Sequence, residues 1–184
     1  MLNQHDKQTL LDIAAQSIQH GLDHGRPLTV HTQDYPADLQ EPRACFVTLH
    51  IKGELRGCIG SLEAWRPLIE DVTDNAYAAA FRDPRFPQLT PAEFSQLEYH
   101  ISILTPSEPI TFTSEQELLN QIRPQIDGLV LEDKGYRGTF LPSVWESLPT
   151  AKQFLSQLKR KAGLPADYWS KTIKVYRYTV EDVK

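Results

Sequence analysis

The chain has 184 residues, 40% hydrophobic and 23% charged, with a formal net charge of −5, an ordinary globular balance that favours one compact domain over a disordered or fibrous chain. The longest uninterrupted apolar stretch, residues 76–81, has six residues, far short of the roughly 18 to 20 needed to cross a bilayer. No basic run extends beyond Lys159-Arg160-Lys161, so the electrostatic footprint of a nucleic-acid binder is missing.

Leu10, Leu11, Ala14, Ala15, Ile18 and Leu22 recur at steps of three and four, which predicts an amphipathic helix over 9–23 with Gly25 as its stop. Residues 26–43 carry Pro27, Pro36 and Pro42 and read as a surface connector. Residues 44–51 and 55–62, separated by Lys52-Gly53-Glu54, read as a β-hairpin. Pro67 suits the first turn of a helix running to about 82, with Glu70, Asp71 and Asp74 as solvated acids near its amino-terminal end. Asp83-Pro84-Arg85-Phe86-Pro87 must break that helix, and Thr90 caps a short one over 91–96. A half-buried strand over 98–104 follows, then a helix over 114–122 with Ser114 and Glu117 in capping-box spacing. A second hairpin over 129–132 and 136–141 precedes helical stretches at 143–148 and 150–162 and a final strand over 172–180.

The two hairpins resemble each other. Lys52-Gly53-Glu54-Leu55-Arg56-Gly57 is echoed by Lys134-Gly135-Tyr136-Arg137-Gly138 with one residue fewer, and a helix follows each. This suggests a weak internal duplication, although lysine-glycine and arginine-glycine pairs also recur at turns by chance. Antiparallel hairpins interspersed with helices predict an α+β fold built on an antiparallel sheet with flanking helices.

Register decides what sits beside Cys58. A three-residue Lys52-Gly53-Glu54 loop puts Cys45, Val47, Leu49 and Ile51 on one face with Leu55, Gly57 and Ile59. Thr48, His50, Arg56 and Cys58 then share the other face, with His50 opposite Arg56, Thr48 opposite Cys58 and Phe46 opposite Gly60. A guanidinium or imidazolium beside a thiol favours the reactive thiolate, so Cys58 reads as a nucleophile with His50 as its base. Free cysteine is equally at home as a small buried apolar group, a reading that stands beside the reactive one for Cys58 and suits Cys45 still better. Gly57 and Gly60 leave room for a ligand or for close approach of another backbone. Arg85, between two prolines, reads as an anion-binding or loop-tying residue, and Arg137 as a cross-strand partner of Glu132.

Two cysteines cannot build a disulfide framework, and no paired-cysteine zinc motif, phosphate-binding glycine loop or serine-nucleophile elbow is present. His20 and His24, four apart, are too few ligands for a metal site. No cofactor can be named from these residues. The amino-terminal residues lack the pattern of a secretory signal, so a cytoplasmic location is expected.

At Leu55-Arg56-Gly57-Cys58-Ile59-Gly60 the sequence resembles the signature of the AMMECR-type domain family. Residues 81–90, 128–131, 137–142 and 158–168 extend the resemblance over essentially the whole chain, toward the bacterial branch known as AmmeMemoRadiSam system protein A. The resemblance implies a compact α+β domain with a larger and a smaller subdomain, and no established reaction. It also implies a component that works with a Memo-like protein of extradiol-dioxygenase type and a radical SAM enzyme, in a redox or modification pathway. The 55–60 motif would line the functional groove, with Arg56, Gly57, Cys58 and Gly60 as its residues. Two other readings stand beside it: a non-catalytic module that binds a protein or small anion through Arg56, Arg85 and Arg137, and a stand-alone thiol enzyme using Cys58.

Overall fold

A computed structural model describes residues 1–184 as two compact units, residues 1–104 with 181–184 and residues 105–180. In the first unit, helix α1 (Gln4–His24) is capped by the Asn3 side chain and ends at Gly25, whose φ of 69° is the left-handed conformation of a helix stop. The connector holds a short helix, α2 (Ala37–Gln40), and leads to strands β1 (Cys45–Ile51) and β2 (Glu54–Gly60). Helix α3 (Leu68–Phe81), the short α4 (Pro91–Phe94) and strand β3 (Leu97–Leu104) follow. The second unit contains β4 (Glu108–Pro109), α5 (Glu115–Gln121), β5 (Gly128–Asp133), β6 (Tyr136–Phe140), α6 (Ala151–Lys161) and β7 (Lys174–Tyr178). Between β6 and α6 the expected helical stretch is a single 3₁₀ turn, Pro142–Glu146. The last strand, β8 (Val180–Val183), belongs to the first sheet.

Each unit has one four-stranded sheet, ordered β2-β1-β3-β8 in the first and β4-β7-β5-β6 in the second. Helices α1 and α3 pack on each other and on one face of the first sheet. Their apolar stripes, including Leu10, Ile18, Ile69 and Val72, meet Val47, Leu49, Ile101 and Ile103, all fully buried. The other face of that sheet carries the alternate residues of the same strands, among them Thr48, His100 and Ser102. In the second unit Phe154, Leu155 and Leu158 of α6 pack with Leu129, Leu131 and Val175, and Trp145 stacks on Phe154 at 3.8 Å between ring centroids.

The two units repeat one topology: a helix, a hairpin whose second strand lies at the sheet edge, a helix, and a strand that pairs beside the first hairpin strand. Both hairpins turn on lysine-glycine with positive φ at both residues, 52° and 77° at Lys52-Gly53 and 48° and 85° at Lys134-Gly135. That backbone suits the twist of a two-residue hairpin. Gly57 and Gly138 occupy equivalent places, opposite the buried Leu49 and Leu131. A Cβ on Gly57 would meet the Ala79 backbone, and one on Gly138 the Ala162 backbone, at the ends of the helices that follow.

The expected three-residue loop is therefore corrected to a two-residue turn followed by a β-bulge. Ile51 pairs with Glu54 and His50 with Leu55, and the register then shifts so that Leu49 faces Gly57. The additional residue of the first hairpin is absorbed there, leaving Leu55 and Arg56 opposite His50. Beyond the bulge the expected pairs hold: Thr48 faces Cys58 and Phe46 faces Gly60. The bulge also re-aims two side chains, because Leu55 is 40% exposed and Arg56 only 8%. The single strand expected over 172–180 is likewise two strands, β7 and β8, serving different sheets on either side of Thr179.

Candidate functional site

Strand β2 is the edge of the first sheet, so backbone groups on its outer side need partners other than a strand. At Cys58 the partner is a carboxylate: the amide donates to Asp83 Oδ2 at 2.9 Å. Asp83 lies just beyond α3, where Pro84 stops the helix, and its side chain is 2% exposed. Arg85 grips the same carboxylate, donating from its backbone amide and Nε to Oδ1, each at 3.0 Å, and from Nη2 to Oδ2 at 2.8 Å. The Arg85 guanidinium, helped by the two backbone amides, holds the Asp83 carboxyl well below the usual carboxylate range. The Arg85 side chain stays 55% exposed. Cys58 is half-buried, and its Sγ lies 3.2 Å from Thr48 Oγ1.

Arg56 has a different role from the one its sequence neighbours imply. Its Nε donates to Glu93 Oε1 at 2.8 Å and Nη2 to the Pro87 carbonyl at 2.9 Å. Glu93 is the third residue after Thr90 and also accepts from the Thr90 amide at 2.8 Å, closing a capping box at α4. Arg56, and secondarily Thr90, pull the Glu93 carboxyl down to about 2. Arg56 thereby ties the bulge to the 83–93 loop, with the Phe86 ring 5.9 Å from its guanidinium and 5.5 Å from that of Arg85. Its remaining nitrogen, Nη1, is buried and has no hydrogen-bond partner.

Of the residues singled out from the sequence, Arg56, Gly57, Cys58, Gly60 and Arg85 come together at this edge. Gly57 and Gly60 are filled positions: a Cβ at Gly60 would meet the Cys45 carbonyl and Phe46. Close packing of the backbone accounts for both glycines. His50 lies on β1 two residues from Thr48, with Leu55 and not Arg56 as its cross-strand partner. Arg137 belongs to the second unit, where Nε meets Glu132 Oε1 at 3.0 Å across the hairpin. No group of three or more His, Cys, Asp or Glu residues is placed to hold a metal ion.

Asp83 and Glu93 complete the site and are not among the residues the sequence alone singles out, although the Thr90-to-Glu93 spacing is a readable capping signal. Asp71, expected as a solvated helix-start acid, is corrected to a buried one. It is 1% exposed and accepts from the Cys45 amide at 3.0 Å, Cys45 Sγ at 3.1 Å and Arg66 Nε at 2.8 Å. Burial, reinforced by Asp71, pushes the Cys45 thiol well up, which marks it as structural.

Comparison with known proteins agrees with this architecture. A protein of Methanothermobacter thermautotrophicus is 37% identical over 98% of this chain and 94% of its own length. One from Thermotoga maritima is 39% identical over 83% and 84%. The crystal structure of the uncharacterized protein PH0010 from Pyrococcus horikoshii superposes with a TM-score of 0.89 at 33% identity, covering 98% of this chain and 92% of that one. The AMMECR1 family model matches residues 11–183, and the chain belongs to that family.

Proposed function

We propose that Cys58 and Arg85 form a thiol and guanidinium site for a small anionic substrate or ligand group, with the 55–60 motif lining its groove. The observation that carries this reading is the shared carboxylate. Asp83 binds the Cys58 amide and the Arg85 guanidinium at once, so one carboxylate ties the thiol-bearing residue and a cation together while more than half of the Arg85 side chain stays exposed. A guanidinium so placed attracts an anionic group to the edge that carries the thiol. Arg56, locked to Glu93 and Pro87, supports the edge.

The test uses two alkylating agents of similar size, anionic iodoacetate and neutral iodoacetamide, with modification at Cys58 followed by peptide mass spectrometry. The expected result is a preference for iodoacetate that is lost in Arg85→Ala while iodoacetamide still reacts. Equal preference in the two proteins would overturn the anion site. A folded protein whose Cys58 resists both reagents would overturn the thiol site.

We further propose, on the resemblance of the 55–60, 81–90 and 137–142 segments to the bacterial branch, that the chain acts with a Memo-like protein and a radical SAM enzyme in a redox or modification pathway. Sedimentation of the purified protein with each of the two tests this. A complex with either one that Arg85→Ala weakens is expected, and independent sedimentation of all three would argue against it.

A further inference from the structure

The register of the first sheet sets three polar side chains in one line across the face turned away from α1 and α3, and a fourth, on the neighbouring strand, meets the last of them. Cys58 on β2 pairs with Thr48 on β1, and Thr48 pairs in turn with His100 on β3. On β8, Asp182 Oδ1 lies 2.8 Å from His100 Nε2, and it also accepts from Ser102 Oγ at 2.9 Å. Directly opposed residues share a face, with Cβ atoms about 4.5 to 5.5 Å apart. The thiol, the hydroxyl and the imidazole therefore occupy consecutive strands at the same level, and the carboxylate reaches the imidazole from the fourth strand.

From this row we infer that His100, oriented by Asp182, is the proton acceptor for Cys58, with Thr48 as the relay between them. The inference rests on the thiol reading of Cys58. The Cys58 Sγ–H bond breaks and its proton passes to Thr48 Oγ1, 3.2 Å away. Thr48 and His100 are cross-strand neighbours without a direct hydrogen bond, so the Thr48 hydroxyl proton passes through one bridging water to His100 Nδ1, the nitrogen left available by the contact of Nε2 with Asp182. The products are a Cys58 thiolate and a His100 imidazolium that donates both ring protons, one of them to Asp182. A nucleophile, a base and an orienting carboxylate are the parts an activated thiol requires. The other titratable groups facing His100 are Glu98, two residues along β3, and His50, diagonally placed on β1. Helices α1 and α3 pack on the opposite face. His100, 23% exposed at its side chain, takes the part that the sequence assigns to His50.

The experiment is the rate of Cys58 modification by neutral iodoacetamide from pH 5 to 10, with folding checked by near-ultraviolet circular dichroism. His100→Gln and Thr48→Val are each expected to slow the reaction at neutral pH by roughly tenfold and to leave it unchanged at alkaline pH, where hydroxide removes the proton unaided. Thr48→Ser, which keeps the hydroxyl, is expected to react at the parent rate, and Asp182→Asn to fall between. Folded His100→Gln protein with the parent profile overturns the relay and leaves the thiol site standing. A Cys58 that is inert at every pH in the parent protein overturns both.

Discussion

Asp83 Oδ2 accepts the Cys58 amide at 2.9 Å, so a side chain from the loop after α3 completes the unpaired edge of β2. The same carboxylate is gripped by Arg85 through three donors. One buried charge therefore fixes the thiol-bearing strand and the exposed guanidinium together.

Replacing that charge should loosen both. Asp83→Asn keeps the volume and loses the charge-assisted bonds to Arg85 and Cys58. The expected cost is about 1.5 to 3 kcal/mol of unfolding free energy, measured by urea denaturation. Iodoacetate should also lose its preference over iodoacetamide at Cys58, the outcome expected for Arg85→Ala. A stability within about 0.5 kcal/mol of the parent, the usual range for surface substitutions, would mean that the loop does not depend on this carboxylate.

Both equivalent glycines should resist substitution, Gly57 more than Gly138, because a Cβ at Gly57 would overlap the Ala79 carbonyl oxygen whereas one at Gly138 would stand 2.9 Å from the Ala162 amide nitrogen. Gly57→Ala drives a methyl group into the Ala79 backbone, and Gly138→Ala drives one into Ala162. Each is expected to cost about 1 to 3 kcal/mol or more, since helix backbone yields less readily than a side-chain tip. Gly53→Ala meets no atom within 4 Å and is strained only by its φ of 77°, so its cost, about 1 kcal/mol, should be smaller. Thermal melting of the three variants ranks them, and a Gly53 variant less stable than the Gly57 variant would contradict the packing argument.

The pair of Arg56 and Glu93 gives stability a defined pH dependence. Arg56 and Thr90 lower the Glu93 carboxyl from 4.5 to about 2. A carboxyl depressed in the folded state contributes stability above its unfolded value, and that contribution disappears as pH falls through the folded one. The stability difference between the parent and Glu93→Gln should therefore be full above pH 4.5 and shrink steadily toward pH 2. Melting of the two proteins over that range checks it; a difference independent of pH would remove Arg56 as the cause.

Asp71 anchors the start of β1 to α3 from inside the first unit. Asp71→Ala leaves the Cys45 amide without its acceptor and Arg66, 15% exposed, without its more deeply buried partner. Losing one member of such a pair is expected to cost about 3 to 5 kcal/mol, read from urea denaturation. A mild effect would mean that the start of β1 does not depend on this carboxylate.

Much of this architecture could be read locally. The α1 periodicity and its Gly25 stop, the proline break after α3, the capping spacing from Thr90 to Glu93 and the likeness of the two hairpins all follow from interactions within a few residues. The chain's own turn and cap chemistry decides them. The bulge was half visible: the first hairpin is one residue longer than the second, but that residue fits a longer loop as well as a bulge. Packing chose between them, because a lysine-glycine turn with both residues left-handed suits the strand twist and the bulge brings Arg56 onto Glu93 and Pro87.

The sequence by itself determined the α+β class, the antiparallel hairpins, the family and the place of Cys58 opposite Thr48. Only the tertiary structure decided that Asp83 meets the Cys58 amide, that Asp71 is buried against Cys45, and that Asp182 reaches His100 from 82 positions away in the chain. The physical reason is the range of the interaction. Periodicity and turn preference act along the chain, whereas a carboxylate's partner depends on which strand or loop the completed core brings beside it, and no local pattern encodes that distance.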